Sequence, residues 1–149
     1  IPNEIYENLH ENIPFLLDNQ EDVPKKILEM RKSLERADKI IIFSTVYNGG
    51  FLAHLKNTLD WLSLSYDDYK YNSLFKNKTV GVITSVRGGG GNAQNAFKIL
   101  SAQLINYGLR VFEEFHLITN MEHESGGEID ENHKIFKNIE QYINRFLNF

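Results

Sequence analysis

The run Lys39-Ile40-Ile41-Ile42-Phe43-Ser44-Thr45 governs the reading of everything around it. Its four successive apolar residues, three of them β-branched, show no alternation, which predicts a strand buried on both faces, the kind that parallel sheets contain. A parallel neighbour is reached only through a long crossover, usually a helix. The flanking sequence supplies such helices. Before the run, Val23, Ile27, Met30, Leu34 and Ala37 recur every three or four residues on one stripe, with Pro24 suited to a first turn. After it, Leu52, Leu55, Leu59 and Leu62 repeat the pattern, and Gly49-Gly50 is expected to open that helix.

The alternation then continues. Thr79 to Ser85 is a second β-branched strand, entered through the turn-like Lys76-Asn77-Lys78 and followed by Arg87-Gly88-Gly89-Gly90-Gly91-Asn92. Ala93, Ala96, Phe97, Leu100, Leu104 and Tyr107 line a further helix, which Gly108 closes at a left-handed position. Arg110 to Ile118 is the third strand, with two glutamates at its middle, and Ile135, Ile139, Tyr142, Ile143 and Phe146 mark the last helix. This order predicts an α/β fold, a parallel sheet between two helical layers, with residues 1–149 as one domain. Two long irregular segments, Ser63 to Lys78 and Asn120 to Glu131, have the length of lids or interface pieces.

Composition narrows the functional classes. The chain has 149 residues and no cysteine, which excludes disulfides, thiolate metal sites and cysteine nucleophiles. A net charge of −4 removes the electrostatic motive for wrapping nucleic acid or an anionic membrane. The longest apolar run is far too short to span a bilayer, and a cytoplasmic location is expected. His10, His54, His116, His123 and His133 lack metal-ligand spacing, so no metal site is expected. Neither a G-x-S-x-G elbow nor a G-x-x-x-x-G-K-[ST] phosphate loop is present in the sequence.

In open α/β sheets ligands bind where strands end at their carboxyl side. The two exits here are Tyr47-Asn48-Gly49-Gly50 and the four-glycine run, both permissive of close backbone approach. The second also satisfies G-x-G-x-x-A at Gly88 to Ala93, although the acidic residue expected about 20 positions on falls late, at Glu113 or Glu114. With no acid, base or nucleophile assigned to the protein, catalytic residues are expected to be none, and the chemistry is expected to belong to a bound cofactor, for which flavin is the natural candidate.

Three segments, Ala37-Asp38-Lys39-Ile40-Ile41-Ile42-Phe43, Tyr47-Asn48-Gly49 and Leu55-Lys56-Asn57-Thr58-Leu59-Asp60-Trp61, together resemble the flavodoxin-like NADPH-dependent FMN reductases. The likeness continues through Ser85, the glycine loop and Tyr107-Gly108-Leu109, covering about Ile13 to Phe115. It implies a doubly wound sheet of strand order 2-1-3-4-5. It also implies FMN as cofactor, NAD(P)H as co-substrate and a small-molecule electron acceptor. The positions matching the family's Pro-Glu-Tyr-Asn loop along the flavin are Thr45, Val46, Tyr47 and Asn48; the first two differ from the family residues, whose contacts run largely through main-chain atoms. The loop after the next strand implies Ser85, Arg87, Gly88, Gly89 and Gly90 as contacts to the ring's polar edge.

The family opens with a central strand and a phosphate-binding loop at a helix N-terminus. The resemblance therefore implies that a βα unit of about 30 residues or more belongs upstream of Ile1, with Ile5 to Leu9 matching the family's second strand. It further implies a homodimer or homotetramer, with Lys56 and Trp61 on the helix and at the subunit contact. The expected function is hydride transfer from NAD(P)H to flavin and on to a quinone, azo, metal-oxyanion or flavin acceptor. A shortened flavodoxin-like protein-interaction module without flavin, and a dinucleotide-binding domain using Gly88 to Ala93, remain the alternatives.

Overall fold

The computed structural model describes residues 3–18, 22–120 and 133–149. Along these run α1 (Lys25–Arg36), β1 (Lys39–Tyr47), β2 (Gly50–Phe51), α2 (Ala53–Ser63), β3 (Thr79–Ser85), α3 (Ala93–Asn106), β4 (Arg110–Ile118) and α4 (Lys134–Leu147). They build one sheet of order β2-β1-β3-β4. The three long strands are parallel, with Ile40 beside Val80 and Thr45 beside Ser85, and Thr79 beside Arg110. The fold is α/β of the flavodoxin-like kind, and helices cover both faces.

Strand alternation divides the core in two. Ile42, Val80 and Val82 point to the face carrying α1, α2 and α3, where they pack with Ile27, Leu55, Leu59, Leu100 and Leu104. Ile83 and Phe112 point the other way, against Tyr142 and Phe146 of α4. The stripes read from the sequence are thus the buried ones. Gly108 takes the left-handed conformation (φ +94°) that ends α3.

Several expectations need correction. β1 is not buried on both faces: Ile42 is in the core, but Phe43 is 64% exposed. The α4 layer explains this, because it reaches Ile41 and, through the Phe146 carbonyl, Lys39 Nζ at 3.1 Å, but leaves Phe43 uncovered. The sheet is also mixed rather than all parallel. Gly49-Gly50 does not open α2; Asn48 (φ +49°) and Gly49 (φ +78°) form a hairpin turn into β2, which runs antiparallel to β1 before α2 begins. Two consecutive positive φ values define the turn whose twist suits a hairpin, and an Asn-Gly pair adopts them at least cost.

Ile5 to Leu9 forms no strand. A strand needs a neighbour to share its ladder, and this segment lies on α1 instead. Lys26 Nζ donates to the carbonyls of Glu7 (2.9 Å) and Asn8 (2.8 Å), and the Tyr6 hydroxyl meets Ser33 Oγ at 2.6 Å. Between Ser63 and Lys78 the chain is a series of turns rather than an open loop, with Tyr66 and Tyr69 exchanging backbone hydrogen bonds. Of the second long segment, all but Asn120 lies outside the described residues.

Arg31 occupies a core position that the apolar stripe did not foresee; it is 1% exposed. Its Nη2 donates to the Trp61 (3.0 Å) and Leu64 (3.3 Å) carbonyls, and its guanidinium lies 5.1 and 5.6 Å from the Tyr66 and Tyr69 ring centres. The last carbonyls of a helix lack intrahelical donors, so a cation from α1 satisfies the end of α2. Burial pushes the Arg31 pKa down, against the neighbouring tyrosines and Asp67.

Candidate active site at the strand exits

The carboxyl ends of β1 and β3 lie side by side because the two strands are in unbroken register from Lys39/Thr79 to Thr45/Ser85. At the last rung Thr45 Oγ1 donates to the Ser85 carbonyl at 2.6 Å, tying one exit to the other. Beyond it, Val46 pairs with Phe51 and Tyr47 with Gly50, so the first exit is a rigid hairpin rather than a loose loop. Tyr47 stands 66% exposed at its tip, presenting a ring to solvent.

The second exit is held from its other side. Val86 N donates to the Ile118 carbonyl and Asn120 N to the Gly88 carbonyl, both at 2.9 Å, so the end of β4 props the glycine loop. Gly90 has φ +77°, and a Cβ there would stand 3.0 Å from Leu117 Cδ2 and 3.2 Å from Thr119 Cγ2. That position requires glycine on both counts. Gly88, Gly89 and Gly91 are different: a Cβ on any of them would meet nothing within 4 Å. The space beside each of them is open, which allows a ligand to approach the main chain closely.

All nine site positions singled out from the sequence lie on these two exits. Thr45 and Ser85 are in direct contact; Val46, Tyr47 and Asn48 form the hairpin, and Arg87 to Gly90 the loop beside it. Asn92 was not foreseen. It is exposed at the start of α3, and its Cβ lies 3.8 Å from where a Cβ on Gly49 would stand, so the two exits meet there. The supporting role of Ile118 and Asn120 was also unforeseen, because nothing local in a strand end announces what it will brace.

These residues fit a flat, polar-edged cofactor better than a deep-set one. Below the exits, the cleft lined by Thr45, Thr84, Ala93 and Phe97 measures only about 10 Å³, room for a single water at most. A tricyclic ring is too large for this cleft. The buried Thr84 hydroxyl beneath has no hydrogen-bond partner among the described residues. A wider groove of about 430 Å³, lined by Phe112, Glu114, Arg145 and Phe149, lies between the early part of β4 and the end of α4, away from the exits.

The residues of the Leu-Lys-Asn-x-x-Asp-Trp run serve the frame around this site. Asn57 Oδ1 accepts from Leu16 N at 2.9 Å, while Asn57 Nδ2 and Trp61 Nε1 donate to the Pro14 carbonyl at 3.0 and 2.8 Å. Asp60 accepts from Lys56 Nζ at 2.7 Å and from the Tyr107 hydroxyl at 2.6 Å, joining α2 to the end of α3. Burial and the Asp60 carboxylate push the Tyr107 pKa upward. The expectation that Trp61 lies at a subunit contact is corrected: at 1% exposure its indole is enclosed by its own chain.

The sheet order and the two backbone-lined strand exits together define a flavodoxin-like α/β protein. The family model for NADPH-dependent FMN reductase matches residues 4–115, well over half of the chain, and the protein belongs to that family. It is accordingly an oxidoreductase of the FMN- and NADPH-using class. Among solved structures it is similar to FerB, a flavoenzyme NAD(P)H:(acceptor) oxidoreductase from Paracoccus denitrificans, with a TM-score of 0.73 at 22% identity, over 94% of this chain and 75% of FerB. It is also similar to the apo form of the NADH:FMN oxidoreductase EMOB (TM-score 0.58, 16% identity, 82% of this chain and 60% of EMOB). A third is an NADPH-quinone reductase from P. pentosaceus (TM-score 0.55, 16% identity, 78% of this chain and 73% of that protein). At such identities the likeness is one of fold. No curated protein matches the chain.

Proposed function

We propose that this chain binds FMN across the exits of β1 and β3 and works as an NAD(P)H oxidoreductase. In this reading Thr45, Val46, Tyr47 and Asn48 lie along the ring, and Ser85, Arg87, Gly88, Gly89 and Gly90 meet its polar edge. The observation that carries the reading is the Thr45 to Ser85 hydrogen bond at the last rung of the parallel ladder, which holds two backbone-lined loops at one fixed spacing. Preorganised loops lose little freedom when a ligand arrives, and affinity gains accordingly.

When bound, FMN would supply the redox chemistry, hydride transfer from the nicotinamide and electron delivery to a quinone, azo compound, metal oxyanion or free flavin. The chain's own groups bind and orient. Tyr47 offers an aromatic face and the glycine loop offers main-chain amides, which tune a ring without reacting. Assembly as a homodimer belongs to the same reading, and the exposed Ile99 and Ile105 on the outer side of α3 supply apolar surface for it. Action in the cytoplasm belongs to it as well, and no helix among the described residues is long and apolar enough to cross a membrane.

Nicotinamide oxidation followed by absorbance tests the activity. Protein preincubated with FMN is mixed with NADPH or NADH and, in separate runs, a quinone, an azo dye, ferric citrate and free flavin. The expected result is FMN-dependent oxidation with at least one acceptor. Oxidation no faster than FMN alone with every acceptor would refute the proposal.

A further inference from the structure

We infer that the cleft beneath the exits is a hydration site, in which one internal water bridges the hydroxyls of Thr84 and Ser44; the inference stands whether or not FMN binds above it. Thr84 is 5% exposed, and its Oγ1 is buried with no hydrogen-bond partner among the described residues. A hydroxyl taken out of water and left unpaired loses its hydration without recompense, so folded proteins seldom keep one. This one lines the cleft between the sheet and the first turns of α3.

The cleft has the size and the polarity for a single water. It offers about 10 Å³ to water-sized centres, and Ser44 lines it together with Thr84. The two residues are directly opposite each other in the parallel β1–β3 ladder, where paired residues point to the same face of the sheet. Ser44 Oγ donates to the Thr45 carbonyl at 3.1 Å, which leaves its lone pairs free to accept. Val82, Ala93, Ala96 and Phe97 complete the wall and are apolar. A cavity with apolar walls alone stays dry, whereas two hydroxyls supply the partners that hold a water in place.

The donors and acceptors fall into one consistent order. The Thr84 hydroxyl donates to the water, the water donates to Ser44 Oγ, and Ser44 Oγ donates to the Thr45 carbonyl. Thr45 Oγ1 in turn donates to the Ser85 carbonyl at 2.6 Å. Each hydroxyl then gives its proton to one partner, and hydrogen bonds linked in this way strengthen one another. The consequence reaches the exits: β1 and β3 are joined through side chains twice, by Thr45 and Ser85 at the last rung and by the water between Ser44 and Thr84 one rung below. An apolar occupant would leave the Thr84 hydroxyl unpaired, so the site takes water and not a small hydrocarbon.

A crystal structure at a resolution that shows ordered waters, combined with a double-mutant cycle in urea, tests the inference. One density peak is expected within about 3 Å of both Thr84 Oγ1 and Ser44 Oγ, and it is expected to vanish in Thr84→Val. Thr84→Val and Ser44→Ala are each expected to lower the urea midpoint. The combined variant is expected to lose less than the two single losses together, because both act through the one water. A dry Thr84 predicts the opposite sign, since valine fills the same shape and removes an unpaired hydroxyl. A well-ordered cleft without the peak, a midpoint in Thr84→Val equal to or above that of the wild type, or single losses that simply add would each overturn the inference.

Discussion

Thr45 and Ser85 are joined by a 2.6 Å hydrogen bond from the threonine hydroxyl to the serine carbonyl, at the point where their strands end. Replacing Thr45 by valine keeps the shape and removes the bond. The expected outcome is a loss of about 1 kcal/mol in stability, read in a urea unfolding curve, with FMN affinity falling about fivefold as the exits lose their fixed spacing. An unchanged dissociation constant would mean that the loops are positioned by other contacts.

A second joint lies in the middle of the sheet. The β3–β4 ladder shifts register between Val80/Val111 and Val82/Phe115, and the Tyr142 hydroxyl fills the break, accepting from Val82 N at 2.8 Å and donating to the Glu114 carbonyl at 3.2 Å. A Cβ on Gly81 would come within 2.9 Å of that hydroxyl and 3.0 Å of Phe146 Cδ2. Tyr142→Phe strands a buried amide and is expected to cost about 1–3 kcal/mol. Gly81→Ala overpacks the same spot and is expected to cost about as much. Both are measured by denaturant unfolding, and because they share one contact their effects should not add.

The Leu-Lys-Asn-x-x-Asp-Trp run makes a distinct claim. Asn57 is buried and both ends of its amide hold the 14–16 segment. Asn57→Leu is expected to destabilise the protein by about 1–2 kcal/mol, since the Leu16 amide loses its partner and the Pro14 carbonyl keeps only Trp61 Nε1. Hydrogen exchange should rise at Leu16 N while remaining slow in β3. Unchanged exchange at Leu16 would remove the clamp from the account.

Stability should also depend on pH through His116. Burial, and secondarily the nearby Arg145, hold its pKa below the ordinary value. The folded chain therefore binds this proton less readily than the unfolded one, whose histidine titrates near 6.5. The His116 contribution is present above about pH 6.5 and is lost as pH falls through the lower folded value. His116→Gln is expected to flatten the decline in urea midpoint between pH 7 and pH 5. A decline of the same steepness in the variant would assign it to other groups.

What was legible in the sequence was what periodicity records. The stripes of α1 to α4, the three parallel strands and the glycine at the end of α3 follow from spacing alone, because burial of one face repeats with the element's own period. Other features depend on partners distant in the chain. Phe43 belongs to an apolar run, and only the reach of α4 decides that it stays exposed. Arg31 lies on an apolar stripe because the end of α2 needs donors there. The hairpin at Asn48-Gly49 had a signal, the Asn-Gly pair itself, but β2 is two residues long and the second glycine suggested a helix start. The exits were legible as a candidate site through their glycines and the family resemblance; the bracing of the glycine loop by Ile118 and Asn120 was not, since it depends on where β4 ends in space.

The central claim is that the paired exits hold FMN, and equilibrium titration of the purified protein with FMN, read together by flavin fluorescence and thermal midpoint, tests it most directly. Saturable fluorescence change at one FMN per chain is expected, with stabilisation of about 2.7 kcal/mol at a hundredfold excess over the dissociation constant. Flavin fluorescence unaltered by the protein, and a midpoint that does not move at millimolar FMN, would contradict it.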